Sequence, residues 1–192
     1  MPAPESYYSS PLSRCLITAN LTFSGLTLPP TRPFQPTIKE FLREGISIHT
    51  CDRRSNATHI RALVPGWRFE PGFTETDLLW SGKYAESGSA QAARSRIALD
   101  QIFGEDAATW ISITSHSGEI ATLLTVLGHR AFSLATGQAI PVLVRAERAY
   151  QAYPTATIQA WASQATCTQP PITSLADTGC VCPTATAAVT QK

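Results

Sequence analysis

The sequence predicts an α/β layered fold, and three stretches carry that prediction. Trp110-Ile-Ser-Ile-Thr114 is a β-like run that stops at Ser115-His116-Ser117-Gly118. Ile120, Leu123, Leu124 and Leu127 then follow at helical spacing, with Gly128 where a helix C-cap glycine belongs. Tyr7-Tyr8-Ser9 has the same character and also gives way to a helical pattern. Finally, Ala139-Ile-Pro-Val-Leu-Val144 is a near-continuous apolar run suited to a strand buried on both faces, with Pro141 placing it at an edge or bulge. Strand patterns alternating with helical ones, in the order β-α-loop-α-β-α-β, indicate helices layered on a sheet.

Taken in order, Ser10-Pro11 supplies an N-cap followed by proline at the first helical position. Leu12, Cys15, Leu16, Ala19 and Phe23 form the apolar side of this first helix, and Gly25 stops it. Leu28 to Pro36 holds four prolines and is a loop by composition. Thr37 to Leu42 fits a short strand or a turn of helix. Asp52, Arg53 and Arg54 fit a solvated or mutually paired cluster; the other reading turns one arginine toward an anionic ligand. From Pro65 to Lys83, Trp67, Phe69, Phe73 and Trp80 alternate with glycine and proline, an irregular excursion that either caps a pocket or packs beneath a long loop. Ser89 is placed to cap a helix with Ala90, Ala93, Ile97 and Leu99 or Ile102 inward, ending near Gly104. Residues 149–192 carry only Asp177 and Lys192 as charges and are rich in Ala, Thr, Gln and Pro. Such a stretch buries little, so the reading is one domain over 1–148 and a largely disordered tail over 149–192, with a helical piece at 156–163.

The bulk numbers narrow the function. The chain has 192 residues and is 43% hydrophobic, enough for one ordinary core. With 15% charged residues and a net charge of +1, it has no global basic field for nucleic acid or a membrane surface. No apolar run approaches the roughly 20 residues of a membrane span. Met1-Pro-Ala-Pro-Glu-Ser6 shows no secretory signal, so the sequons at Asn20 and Asn56 are expected to stay unused. The cysteines, at 15, 51, 167, 180 and 182, are odd in number and scattered, which fits reduced thiols in the cytoplasm. Cys180-Val-Cys182 lacks the further ligands a zinc site needs, and neither a metal nor a cofactor is expected.

The chemistry converges on His116. A histidine at the end of a strand and just before a helix sits where open α/β sheets bind ligands, and the free N–H groups there favour an anion. A loop histidine that bonds only its own turn is the alternative. Arg14 lies at the same kind of junction: either a surface arginine or a phosphate clamp, since guanidinium matches phosphate geometry.

Three stretches together resemble a known family. Ser10-Pro-Leu-Ser-Arg14 with Thr18-Ala19 resembles the SPLxR helix start of the histidine phosphatase superfamily, the phosphoglycerate mutase-like proteins. Thr114-Ser-His-Ser-Gly118 resembles the segment carrying that family's second pocket histidine, and Leu42-Arg-Glu-Gly45 with Cys51-Asp-Arg-Arg-Ser55 resembles its fungal, phosphomutase-like branch. The resemblance runs from about residue 7 to 147. It implies a three-layer α/β/α sheet and a pocket in which a histidine of an Arg-His-Gly motif becomes phosphohistidine. A second histidine and arginines hold the phosphoryl oxygens, and a carboxylic acid protonates the leaving group. Residue by residue it assigns His116 as the second histidine and Arg14 as the clamp, with Ser115 beside them in substrate binding. Glu44 is the acid by its L-x-E context, with Glu40 a rival.

These residues hold no Arg-His-Gly, and His49, His59 and His129 lack its context. The expectation is a phosphoglycerate mutase-like fold truncated at its N-terminus, without first strand, first helix or nucleophile. The expected ligand is a small phosphorylated molecule or other oxyanion, with chains associating through an exposed sheet edge. The functions that follow are a phosphatase or phosphomutase-like pocket, a pseudoenzyme binding a phosphorylated ligand or a partner, or a repurposed enzyme of a fungal biosynthetic pathway.

Overall fold

The computed structural model describes residues 2–147, together with the backbone of short strands at 162–163, 173–175 and 179–181. In chain order the elements are β1 (Ser6–Ser9), α1 (Ser13–Phe23), β2 (Thr37–Ile38), α2 (Ala57–Leu63), β3 (Arg68–Phe69), β4 (Tyr84–Ala85), α3 (Gly88–Glu105), β5 (Ile111–Thr114) and α4 (Ser117–Val126). The three strands beyond residue 147 are β6 (Ala162–Ser163), β7 (Thr173–Leu175) and β8 (Gly179–Val181). Single 3₁₀ turns lie at Glu40–Leu42 and Thr50–Asp52.

Four strands form one parallel sheet in the order β3-β2-β1-β5. Its register sorts the side chains. Tyr8 sits beside Ile113 and Thr37, and Ser9 beside Ile38, so residues in register share a face and chain neighbours do not. Tyr8, Ile111 and Ile113 pack against Leu42, against Ala98, Leu99 and Ile102 of α3, and against Leu123 of α4. On the other face Ile38 and Phe69 pack against Leu16 of α1 and Ile60 and Val64 of α2. Tyr7 joins that side, edge-on to Phe23 and Phe34 at 5.0 Å. Helices therefore cover both faces, and the architecture is the expected three-layer α/β/α sheet. Among the described residues β5 pairs with β1 alone, which leaves its outer edge without a strand. None of the described helices is long and apolar enough to cross a membrane.

Several elements depart from the sequence reading. Ser10 is not the N-cap of α1: Leu12 holds that position without a side-chain bond, and Ser10 Oγ accepts from Leu12 N at 3.3 Å while facing His116. The cap of α3 is Ser87, whose hydroxyl accepts from Ala90 N, rather than Ser89. Residues 139–144 form no strand, and Leu143 lies fully in solvent. An apolar run becomes a strand only beside a partner for its N–H and C=O groups, and no described strand pairs with this one. The helix α2, capped by Asn56 through His59 N at 2.8 Å, had no counterpart in the sequence reading. The α4 terminus is as expected: Gly128 has φ +73°, its N–H reaches Thr125 O at 3.0 Å, and His129 N reaches Leu124 O at 2.8 Å. The disordered tail and the helical piece at 156–163 lie outside the described residues, except that 162–163 is strand.

The stretch from Lys39 to Ser55 has two 3₁₀ turns and no longer helix or strand, yet much of it is buried. Side-chain charges hold it. The two Arg43 Nη atoms reach the two carboxylate oxygens of Asp77 at 2.7 Å, and Nη1 also binds Glu40 at 2.8 Å. Arg54 Nε binds the other Glu40 oxygen at 2.6 Å, and its Nη2 reaches Thr74 O and Thr76 O. The residues of the 52–54 cluster do not pair with one another: Asp52 is buried and accepts from Ser47, Arg54 is buried against Glu40, and Arg53 is exposed and lies over the Trp80 ring at 5.5 Å. These bonds anchor the aromatic excursion as well.

Burial alone would raise the Asp77 carboxyl, but hydrogen bonds and charge from Arg43, with the N–H groups of Arg54 and Trp80, bring it down to about 2. The contribution of Asp77 is therefore full above about pH 3.8 and is lost as pH falls toward about 2. Replacing Asp77→Ala leaves a buried guanidinium short of its partner, and urea unfolding at pH 7 is expected to show a loss of about 3–5 kcal/mol.

Candidate functional site

The ends of β1 and β5 deliver the site. Both strands point the same way, so the turn after Ser9 and the turn after Thr114 emerge side by side at the carboxyl edge of the sheet, where α/β folds bind ligands. His116 is the N-cap residue of α4 and is 6% exposed. Its Nε2 lies 2.8 Å from Ser10 Oγ, its Nδ1 lies 3.0 Å from Arg14 Nε, and Cys15 Sγ lies 3.4 Å from Nε2. Arg14 is exposed and also binds Cys51 O at 2.7 Å, which ties α1 to the 3₁₀ turn beyond it.

These contacts settle the protonation state. A guanidinium nitrogen only donates, so Nδ1 of His116 accepts and the ring proton sits on Nε2, donating to Ser10 Oγ. Burial and the nearby Arg14, Arg94 and Arg43 guanidinium groups hold the imidazole down at about 3, so it is neutral at physiological pH. The Ser10–His116 pair has the spacing of a hydrolase dyad but the wrong tautomer: the nitrogen facing the hydroxyl carries the proton and cannot remove another. Burial also pushes the Cys15 thiol up to about 12, over the opposing pull of Arg14, so no thiolate nucleophile forms there.

Glu44 stands at the N-terminus of α4. Its Oε2 is 3.4 Å from Gly118 N and its Oε1 is 3.0 Å from Gly45 N. A carboxylate thus already occupies part of the helix N-terminus that the sequence reading left open for an external anion. A Cβ on Gly118 would lie 2.4 Å from Glu44 Oε1, so glycine is required for this approach. The rival Glu40 is committed to Arg43 and Arg54. Ser115 donates its hydroxyl proton to Leu42 O at 2.7 Å, joining β5 to the Glu44-bearing segment.

The structure therefore groups His116 and Arg14 directly and sets Glu44 at the same helix terminus. Sequence reasoning missed Ser10 as a partner of the imidazole, and missed Arg43, Arg94 and Glu119. For Glu119 a signal existed: it falls three residues after His116, on the inward side of α4. No cluster among the described residues could hold a metal ion.

Known proteins share this arrangement of sequence. The chain is 52% identical over 147 residues, 77% of its length, to a probable phosphoglycerate mutase of Arthroderma benhamiae. It is 43% identical over 154 residues to phosphomutase-like protein 3 of Candida albicans, and 36% identical over 89 residues to a phosphoglycerate mutase-like protein of Arabidopsis thaliana. The chain belongs to the phosphoglycerate mutase-like proteins. It spans 44% and 47% of the two fungal relatives, and 32% of the plant one. No family model matches it, and neither does any solved structure. The phosphoglycerate mutase-like family and the parallel three-layer sheet agree with each other.

The buried neutral imidazole has a measurable signature. The unfolded histidine takes a proton near pH 6.5, whereas the folded one resists to about pH 3, so stability falls as pH drops through that window. His116→Gln removes this term. Its urea midpoint at pH 5, relative to pH 7, is expected to fall less than that of the parent chain.

Proposed function

We propose that this chain forms a phosphoryl-transfer pocket of the phosphatase or phosphomutase-like kind, in which the attacking histidine is not among these 192 residues. The observation that carries the reading is the Arg14 guanidinium, exposed on one side and braced by His116 Nδ1 and Cys51 O on the other. Arg14 would hold phosphoryl oxygens through charge-assisted hydrogen bonds, with His116 beside it and Ser115 joining the Glu44-bearing segment to the end of β5. Glu44 would act as the acid toward the leaving group. The relatives, a probable phosphoglycerate mutase and a phosphomutase-like protein, support this chemistry. Substrates are small phosphorylated molecules.

A second reading is favoured by one contact. His116 Nδ1 is filled by Arg14, and its Nε2 carries the proton, so neither nitrogen presents a free lone pair for attack. On that basis the chain by itself binds phosphorylated ligands without turning them over, as a pseudoenzyme would.

Two measurements test this. Phosphate, vanadate or sulfate at millimolar concentration should raise the melting temperature, and Arg14→Ala should abolish the rise; an equal shift in both chains would make Arg14 an ordinary surface residue. Incubation with a labelled phosphate ester followed by quenching should leave no acid-labile label on the protein. Stoichiometric label that disappears in His116→Ala would instead make His116 the nucleophile.

A further inference from the structure

Arg94 lies on α3, makes no bond to Arg14 or His116, and its side chain is 1% exposed. Its Nε and Nη2 reach the two carboxylate oxygens of Glu86 at 2.8 and 2.9 Å. Its Nη1 donates to Phe41 O at 2.6 Å and Arg43 O at 3.0 Å, and its Nη2 reaches Glu44 O at 3.3 Å. That same Nη2 is 3.3 Å from Glu119 Oε2 on α4. One guanidinium therefore grips three carbonyls of the segment that carries Glu44 and a carboxylate on the helix that begins at His116. Glu119 is fixed in turn by Ser95 Oγ at 2.6 Å and Gln91 Nε2 at 2.9 Å, both from α3.

The fit is narrow at the far end of this linkage. The Glu44 carboxylate accepts from Gly118 N at 3.4 Å, and a Cβ added to Gly118 would lie 2.4 Å from its Oε1, so a side chain there would displace the carboxylate. At 3.4 Å the contact is long, so it is lost when residues 41–44 move away from the helix. The 41–44 segment has only one 3₁₀ turn of its own, so side chains set its position: the Arg43 guanidinium anchors it to Asp77 and Glu40, and two others reach its carbonyls from outside. Ser115 contributes one bond, to Leu42 O; Arg94 contributes three.

We propose that Arg94 is a positioning residue for Glu44, holding its carboxylate at the N-terminus of α4 through the backbone of residues 41–44 and the side chain of Glu119. The proposal rests on the reading of Glu44 as the acid of the pocket, and it is tested without any ligand. The Gly118 amide, which donates to Glu44, reports the ionisation of that carboxylate in ¹H–¹⁵N spectra of the full chain recorded through a pH titration. Glu44→Gln should remove the acid step of the Gly118 titration and leave the step near 7 at which the neighbouring Glu119 takes its proton; if the acid step stays, the contact is not made and the proposal falls. Arg94→Lys keeps the charge but cannot span three carbonyls and two carboxylates. It should abolish the carboxylate-linked shift of Gly118 while the amides of β1 and β5 keep their positions. An unchanged Gly118 titration in Arg94→Lys overturns the proposal and leaves Arg94 a core residue. Should that variant fail to fold, Glu119→Gln retains the side-chain shape and exchanges for a donor one of the two oxygens that Arg94, Gln91 and Ser95 now share; it must reduce the Gly118 shift, and a parent-like titration in it is equally fatal. Anion binding is read separately by melting temperature, so failure of the pocket reading and failure of this linkage give different results.

Discussion

The burial of guanidinium groups under an irregular backbone is the constraint on which this molecule depends. Parallel strands of two to four residues cannot satisfy the carbonyls of the loops leaving their carboxyl ends, and in the 39–55 segment those loops run through the interior. Arg43, Arg54 and Arg94 supply fixed forks of donors there, and Glu40, Asp77 and Glu86 balance their charge. Apolar packing alone would leave this layer unsatisfied. The arrangement also carries a risk, because losing one member strands a buried charge.

The same charges tune the residues nearest the candidate site. His116 is kept neutral by burial and by three positive neighbours, while burial pushes Glu119 up to about 7 against the pull of Arg94. Two groups three residues apart on one helix are thus displaced in opposite directions, yet both toward the uncharged form. Folding suppresses net charge beneath the sheet edge and leaves Arg14 as the exposed cation beside His116.

Periodic features were legible in the sequence and paired ones were not. The strand-to-helix junction at His116, the α1 pattern from Leu12 to Phe23 and the Gly128 terminus each depend on a few neighbouring residues, so local spacing found them. The resemblance then gathered Arg14, Glu44 and His116, which span about a hundred positions. The Ser10 cap failed because the helix starts only at Ser13 and the Ser10 hydroxyl is turned to His116; nothing near residue 10 announces residue 116. The 139–144 strand failed because hydrophobicity reports a wish for burial, whereas a strand also needs a partner. Arg94 was invisible for the same reason: its acceptors lie about fifty positions upstream, at Phe41, Arg43 and Glu44.

The neutrality of His116 carries a thermodynamic consequence for any anion that settles against Arg14. A dianion placed there would offset the guanidinium charge that now opposes protonation, and the imidazole would become a stronger base. Binding and proton uptake are then two faces of one equilibrium. The heat released on binding would vary with the ionisation enthalpy of the buffer, and its slope would count the protons drawn from solution. In such a pocket the charge that greets the ligand is partly created by the ligand's own arrival.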